Sequence, residues 1–326
     1  MPLSHENMLA LTHIWQSLGW PLLRLLMGLA AGLLLANLLE ALRWTRYLAH
    51  LAAPLARLAH LPPVAAASFS LAVISPAAAN SLLAASHDKK EISGCELMLA
   101  NIFNSLPAYV VHTPSIFFLT WPVLGFPAVT YVLLTLLAAI ARTAATVAVS
   151  HYLLPVPSQT EQQAPSPPTT PGRKQILRKA WKSFLRRLPR LACFTIPVYI
   201  LMYFLQRYGF FEIAEQWMAT HMGWLSFLKP QAMGIIVLHL AAELGAALGA
   251  AGSVLQSGAL TTRDVVLALL VGNILSTPMR AIRHQFPAYA GFYRPTLALR
   301  LVLANQGLRA ASMALVTASY YTCTQG

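Results

Sequence analysis

The chain has 326 residues, of which 57% are hydrophobic and only 10% are charged. Because a soluble protein normally carries about 25% charged residues, this composition predicts a membrane protein. The net charge of +13 does not predict nucleic-acid binding, since lysine and arginine concentrate in the cytoplasmic loops of membrane proteins. Cys95, Cys193 and Cys323 are scattered, so neither a disulfide framework nor a metal site is expected.

Four apolar segments of the first half are comparable in length to the roughly 20 residues that cross a bilayer. They are residues 22–42, 63–86, 97–121 and 127–153. Prolines break the second and third segments, at Pro76 and near Pro107. Residues 43–60 are mixed apolar and basic, which predicts an amphipathic helix lying on the membrane surface.

A polar region separates the two halves of the chain. Residues 155–172 are rich in Pro, Ser, Thr and Gln and predict a disordered linker, because they offer little apolar surface to bury. Residues 173–190 carry eight basic residues and no acid, with Trp181, Phe184 and Leu185 interleaved. This pattern predicts an amphipathic helix on the anionic cytoplasmic leaflet of the lipid bilayer.

The second half repeats the order of elements with weak sequence identity, which is typical of transporter repeats. A span, a surface helix, an apolar hairpin, a broken span and a last span follow at residues 191–206, 210–229, 231–256, 265–292 and 295–320. The hairpin is expected to break near Glu243 and again between Gly249 and Gly252. The broken span is expected to bend near Pro278.

The charge distribution predicts the topology. The basic linker should be cytoplasmic, and it is so if residues 63–86 form a re-entrant hairpin that enters and leaves from that side. Each half then has three full spans, and because three is odd the second half is inverted. The predicted fold is an all-α polytopic membrane protein with an inverted repeat, each half three transmembrane helices plus one re-entrant helical hairpin. Its predicted domains are a first repeat, a linker with the basic helix, and a second repeat, at residues 1–154, 155–190 and 191–326.

Two arginines lie at matching places in the last spans of the two halves. Arg142 follows Pro127 by 15 residues, and Arg309 follows Pro295 by 14. A charge in the middle of a membrane span is costly and is usually retained for function. The two arginines either bind an anionic substrate or coupling group, or brace the hairpin tips by donating to exposed helix-end carbonyls. Both interpretations stay open.

Three runs of residues carry a resemblance to a known family: Ser75-Pro76-Ala77-Ala78-Ala79-Asn80, Asn101 to Pro107 with the continuation Ala108-Tyr109, and Ala141-Arg142-Thr143. The chain resembles the Gate domain, also called the nucleoside-recognition domain. Concentrative nucleoside transporters, the membrane part of the ferrous-iron transporter and the spore-maturation membrane proteins share this domain. The similarity covers residues 63–153 best and residues 231–320 more loosely.

The resemblance implies a secondary transporter for a small polar solute in the bacterial inner (cytoplasmic) membrane. Two departures leave the substrate unassigned: the chain has no GTPase domain, and it lacks the Gln/Thr-plus-Glu pattern by which nucleoside transporters hold their substrate. The alternative is a non-transporting scaffold like the spore-maturation proteins, acting as a homodimer or with a membrane partner protein. The sequence holds no enzyme signature and predicts no cofactor.

Polar residues beside the helix breaks are the candidate substrate contacts, because irregular backbone at the bilayer midplane lines a polar cavity. The candidates are Arg142, Arg309, Asn101, Asn104, Ser105, Asn273, Ser276, Glu243 and Asn80. The simpler interpretation is that the asparagines and serines satisfy backbone groups freed by the prolines.

Three titratable residues have further interpretations. Glu243 either pairs with an arginine or carries a proton, or it lies at a hairpin tip near water. His112 and His239 are candidates for handling a proton or a metal, although a lone histidine in a helix bundle is more often structural.

Overall fold

The computed structural model describes residues 12, 14–41, 50–156, 173–208 and 228–325. Within these ranges every regular element is a helix, which confirms the all-α prediction. The helices are α1 (Trp20–Ala41), α2 (Ala52–Leu58), α3 (Pro63–Ala72), α4 (Pro76–Asp88), α5 (Gly94–Phe103), α6 (Ser105–Leu124), α7 (Pro127–Leu153), α8 (Arg173–Arg207), α9 (Pro230–Gln256), α10 (Thr262–Leu275), α11 (Thr277–Arg280), α12 (Phe286–Ala290) and α13 (Pro295–Cys323). Single π-helical segments, Trp15–Gly19 and Ala281–Gln285, precede α1 and α12.

Three helices in the described part of the chain are long and apolar enough to cross a membrane: Trp15–Leu35, Gly94–Leu124 and Pro127–Leu153. They match the three full spans predicted for the first half and identify the chain as a membrane protein with transmembrane helices. The spans of the second half stay predictions. Residues 157–172 and 209–227 lie outside the described residues, so nearly all of the predicted linker and of the predicted surface helix at 210–229 is not covered. Residues 43–49 of the predicted surface helix at 43–60 also lie outside them, and within 50–60 the structure has α2, whose Ala52 and Ala56 are buried.

The predicted break at Ser75-Pro76 is confirmed, and α3 and α4 pack against each other on either side of it. Pro76 begins α4, and the Ser75 hydroxyl accepts a hydrogen bond from the Ala78 backbone N–H at 3.2 Å. The two helices have 10 and 13 residues. At about 1.5 Å per residue each is well short of a bilayer core of about 30 Å.

Contacts with α10 indicate that α9 folds back, although α9 is helical over all of its 27 residues. Lys229, just before α9, bonds to Asp264 in the first turn of α10 at 2.8 Å, and Gly272 of α10 lies against His239 of α9. The short connection between α9 and α10 brings the end of α9 to the same place. Because a straight helix of this length spans about 40 Å, these contacts favour the predicted hairpin.

The second break predicted in this hairpin, between Gly249 and Gly252, is wrong. Both glycines lie inside the helix, where they allow close approach of neighbouring helices. A Cβ at Gly249 would lie 3.3 Å from the Thr195 carbonyl oxygen, and one at Gly252 would lie 3.2 Å from Leu25 Cδ2. Small residues serve this purpose in membrane helix packing.

The other breaks are local. At the α5–α6 junction the Asn104 N–H still donates to the Ala100 carbonyl at 3.1 Å, so the helical path continues. At the α10–α11 junction the Ser276 N–H donates to the Gly272 carbonyl at 2.8 Å. The predicted surface helix and span at residues 173–206 likewise join without interruption in α8, which contains Pro189 and Pro197. An internal proline bends a helix and removes one backbone hydrogen bond.

The chain divides into two compact units. Unit 1 comprises Met1–Asn37, Ser115–Tyr131 and Ala180–Ser276, and unit 2 comprises Leu38–Pro114, Val132–Lys179 and Thr277–Gly326. Each unit therefore draws on both predicted repeats. In unit 2 the hairpin α3–α4 packs against α5, and the rings of Phe69 and Phe103 meet at 4.6 Å in its core. In unit 1 the folded-back α9 packs against α10.

Candidate functional site

A polar network in unit 2 is centred on Asn101, in the last turns of α5, which is only 3% exposed. The Asn101 amide donates to Asn80 Oδ1 at 2.9 Å. Its carbonyl oxygen accepts from the Tyr289 hydroxyl at 3.0 Å and from Asn305 Nδ2 at 3.4 Å. The Tyr293 hydroxyl donates to the Asn80 backbone carbonyl at 3.1 Å. Two predicted site residues, Asn80 and Asn101, therefore meet.

Local sequence fixes the helices that carry this network. The start of α5 is set by a capping box, in which Ser93 and Glu96 bond to each other's backbone N–H groups. The start of α4 is set by the Ser75 cap. Asn80 and Asn101 thus project from helices whose register is determined close by. A buried amide without partners would be costly, so each side chain holds the others in place.

Asn104 and Ser105 lie beside this network but have other partners. Asn104 Nδ2 donates to the Ser68 hydroxyl at 3.1 Å, and Ser68 donates to the Ala65 carbonyl at 2.9 Å. Asn104 therefore fastens α3 to the α5–α6 junction by a bond between two side chains, rather than by satisfying a backbone group freed by Pro107. Ser105 accepts a hydrogen bond from Arg142 Nε at 2.9 Å.

The two predicted arginines have different surroundings. Arg142 on α7 is 6% exposed, and among the described residues the Ser105 hydroxyl is its one hydrogen-bond acceptor. Arg309 is half-buried, and its Nη1 donates to Gln306 Oε1 at 3.4 Å. Gln306 in turn donates to Gln285, at the end of the second π-helical segment, at 2.5 Å. The two arginines occupy matching positions in the sequence, but Arg142 is a buried cation with one hydrogen bond in the described part of the chain, whereas Arg309 bonds to one of a pair of glutamine amides.

The remaining predicted residues belong to unit 1. Asn273 Nδ2 donates to the Tyr131 hydroxyl at 3.2 Å, and the Ser276 hydroxyl donates to the Asn273 backbone carbonyl at 3.1 Å. The Glu243 side chain lies outside the described residues. His239 is buried against Gly272, whose added Cβ would lie 2.9 Å from the imidazole Nδ1.

His112 is exposed on α6. Among the described residues no three potential metal-ligating side chains cluster. Neither histidine therefore joins a group that would hold a metal ion in the described part of the chain.

Sequence reasoning missed Tyr289, Tyr293 and Asn305 in the network. One signal was available: Pro287-Ala288-Tyr289 repeats the Pro-Ala-Tyr run that follows Leu106. A second was the pair Asn305-Gln306 in an otherwise apolar stretch of α13. Polar residues in a membrane helix usually face a partner or a cavity.

The chain is similar to two archaeal proteins. The uncharacterized protein MJ0871 of Methanocaldococcus jannaschii is 27% identical over 229 residues, which are 70% of each protein. The uncharacterized protein MJ1556 of the same organism is 26% identical over 216 residues, covering 66% of this chain and 67% of the relative. No protein-family model and no solved structure matches the chain.

Proposed function

We propose that the protein is a secondary transporter of the Gate superfamily that binds a small polar solute at the Asn101 network. One observation carries this proposal: within a single compact unit, buried polar side chains from both halves of the sequence converge on one amide. Asn80 and Asn101 come from the first half, and Tyr289, Tyr293 and Asn305 from the second. Transporter sites typically lie where two repeats meet.

In this proposal the protein is a multi-pass protein of the cytoplasmic membrane, which archaea and bacteria share. The hairpin α3–α4 is re-entrant from the cytoplasmic side, and the folded-back α9 is its inverted counterpart. The short lengths of α3 and α4 support this arrangement, as does the similar packing of each hairpin against the helix that follows it, α5 or α10. Movement of a hairpin would expose the site to one side of the membrane at a time.

The test is a ligand screen by thermal unfolding of the purified protein in detergent. Nucleosides, bases, divalent metals and small organic anions form the panel. A solute that binds only the folded state raises the melting temperature. At a concentration of a hundred times its Kd, it increases the free energy of unfolding by about 2.7 kcal/mol. Uptake of the same solute into proteoliposomes then distinguishes transport from binding.

Two tyrosine variants localise the site. Tyr289→Phe removes the hydroxyl that donates to Asn101, whereas Tyr109→Phe removes a hydroxyl that bonds to Thr135 elsewhere in unit 2. Tyr289→Phe loses the bond to Asn101, whereas Tyr109→Phe loses the bond to Thr135 and a longer one to the Val132 carbonyl at 3.3 Å. Each hydrogen bond is worth about 0.5–1.5 kcal/mol. We expect Tyr109→Phe to lose at least as much stability as Tyr289→Phe, but only Tyr289→Phe to weaken solute binding, by about 3- to 10-fold. Equal binding by the two variants would contradict the proposed site.

The second candidate is a non-transporting scaffold, and the closed state of the network favours it. Both lone pairs of the Asn101 carbonyl oxygen are occupied by protein donors, and its amide also donates to the protein. A network that satisfies itself stabilises a fold without any ligand. Co-purification of a stoichiometric membrane partner, or a stable homodimer, together with no response to any solute, would support the scaffold.

A further inference from the structure

Arg142 is a buried cation whose hydrogen-bonding capacity is mostly unused. A guanidinium carries five N–H donors, and here only the Nε donor has an acceptor, the Ser105 hydroxyl. The residue is 6% exposed. The four N–H donors on its two η-nitrogens meet no acceptor among the described residues.

We propose that the solute bound in unit 2 is an anion, and that the two η-nitrogens of Arg142 receive its carboxylate or phosphate group. This inference rests on the proposed function and gives it a substrate class. A guanidinium presents its donors as a planar fork that matches two oxygens of an oxyanion. The bond from Nε to Ser105 holds the plane of the fork and leaves the other edge of the group for the ligand.

The described acids of unit 2 do not compensate this charge. Glu96 is engaged in the capping box with Ser93, and Glu91 lies 3.9 Å from Lys89 in an exposed pair. Asp88 is exposed at the end of α4, and it completes the acids of unit 2 whose side chains the structure describes. A buried charge without a partner is strongly unfavourable, so a charged ligand is the physical means of neutralising Arg142.

The bracing interpretation fits this geometry less well. A brace would direct its donors to the carbonyls at a helix end, whereas the one bond that Arg142 makes goes to a side-chain hydroxyl. Ser105 follows Asn101 by four residues, about one helical turn. The hydroxyl that holds the Arg142 fork and the Asn101 amide thus lie on neighbouring turns at the α5–α6 junction. If the anionic group of a small solute binds Arg142, the neutral polar part of the same solute can form hydrogen bonds with the asparagine amides and tyrosine hydroxyls of the Asn101 network.

The experiment compares the full-length protein with Arg142→Gln, Arg142→Lys and Arg300→Gln. Arg300 is exposed on α13, so its variant makes the same change of charge away from the site. Sodium acetate, sodium phosphate and neutral uridine are titrated in a buffer of low ionic strength, and the melting temperature is recorded. Acetate and phosphate separate carboxylate from phosphate recognition, and a salt effect common to all variants is subtracted.

We expect acetate or phosphate to raise the melting temperature saturably in the native protein and in Arg300→Gln. Arg142→Gln should lose this response, and Arg142→Lys should bind about 10- to 100-fold more weakly, because a point charge replaces the fork. Without anions, Arg142→Gln should melt at or above the temperature of the native protein, since the unpaired charge is gone. A brace would instead leave Arg142→Gln less stable in every buffer.

Other outcomes overturn the inference. Retention of the anion response in Arg142→Gln places the anion elsewhere. Binding of uridine that depends on Tyr289 but not on Arg142 rejects the anionic substrate while the transporter proposal stands. If no probe and no member of the wider solute panel binds, both the anion site and the transporter proposal fail.

Discussion

At the scale of single residues, Asn101 shows what a local sequence can and cannot predict. Its place beside a helix break and inside an apolar segment made it a candidate, and the structure shows that it is buried. Its partner Tyr289 lies 188 positions away along the chain. No local pattern reports a contact over that separation, because it depends on how whole helices pack. The sequence could not predict that Arg142 makes one hydrogen bond among the described residues, because that too depends on how whole helices pack.

Gly28 gives a sharp test of close packing in unit 1. A Cβ at Gly28 would lie 2.6 Å from the Pro122 Cβ, whereas a Cβ at Gly307 on α13 would meet nothing within 4 Å. Gly28→Ala should therefore destabilise the protein by about 1–3 kcal/mol through overpacking. Gly307→Ala should stabilise it by about 0.5–1 kcal/mol, because alanine favours the helix. Thermal unfolding in detergent measures both, and a stabilising Gly28→Ala would show that α1 and α6 do not approach this closely.

At the scale of elements, proline was a better guide than glycine. Pro76 at the predicted break begins a new helix, because proline suits a first turn and a serine cap precedes it. Gly249 and Gly252 suggested a break that is absent, because these glycines make room for Thr195 and Leu25. A glycine that bends a helix and one that packs against a neighbour look alike in a sequence. Only the residues that pack against the glycine in the folded protein show which role it has.

Helix α8 carries a test of lipid binding. Four exposed basic residues recur at every fourth position, beside the exposed apolar side chains of Leu177, Trp181 and Leu185, and they are Lys174, Arg178, Lys182 and Arg186. Each should contribute about 1 kcal/mol near an anionic surface. Replacing all four by glutamine should abolish the extra stability that phosphatidylglycerol gives over phosphatidylcholine in thermal unfolding.

The matched control for α8 changes four exposed basic residues of unit 2, which are Lys89, Lys90, Arg294 and Arg300. Their replacement by glutamine makes the same change of net charge without touching α8. A loss of lipid response equal to that of the α8 variant would mean that net charge, rather than the stripe on α8, attracts the anionic lipid.

At the scale of the whole molecule, the repeat in the sequence and the units in space are different divisions. Each compact unit contains segments of both predicted repeats; in unit 2 the pair α3–α4 packs on α5, and in unit 1 α9 packs on α10. The inversion itself stays a prediction.

Reporter fusions test that inversion. A reporter within residues 155–172 should be active only in the cytoplasm, because eight basic residues follow it directly. A reporter at Gly125, in the uncharged turn between α6 and α7, should be active only outside. The same side for both reporters, or an external linker, would refute the inverted topology.

By itself the sequence determined that this protein is helical and lies in a membrane, and it located the breaks at Pro76 and near Pro107. These properties depend on composition and on the backbone restrictions of single residues, which act locally. The tertiary structure decided which polar side chains meet. It joined Asn101 to both halves of the chain and left Arg142 with one hydrogen bond, because contacts between distant helices depend on packing that no local pattern encodes.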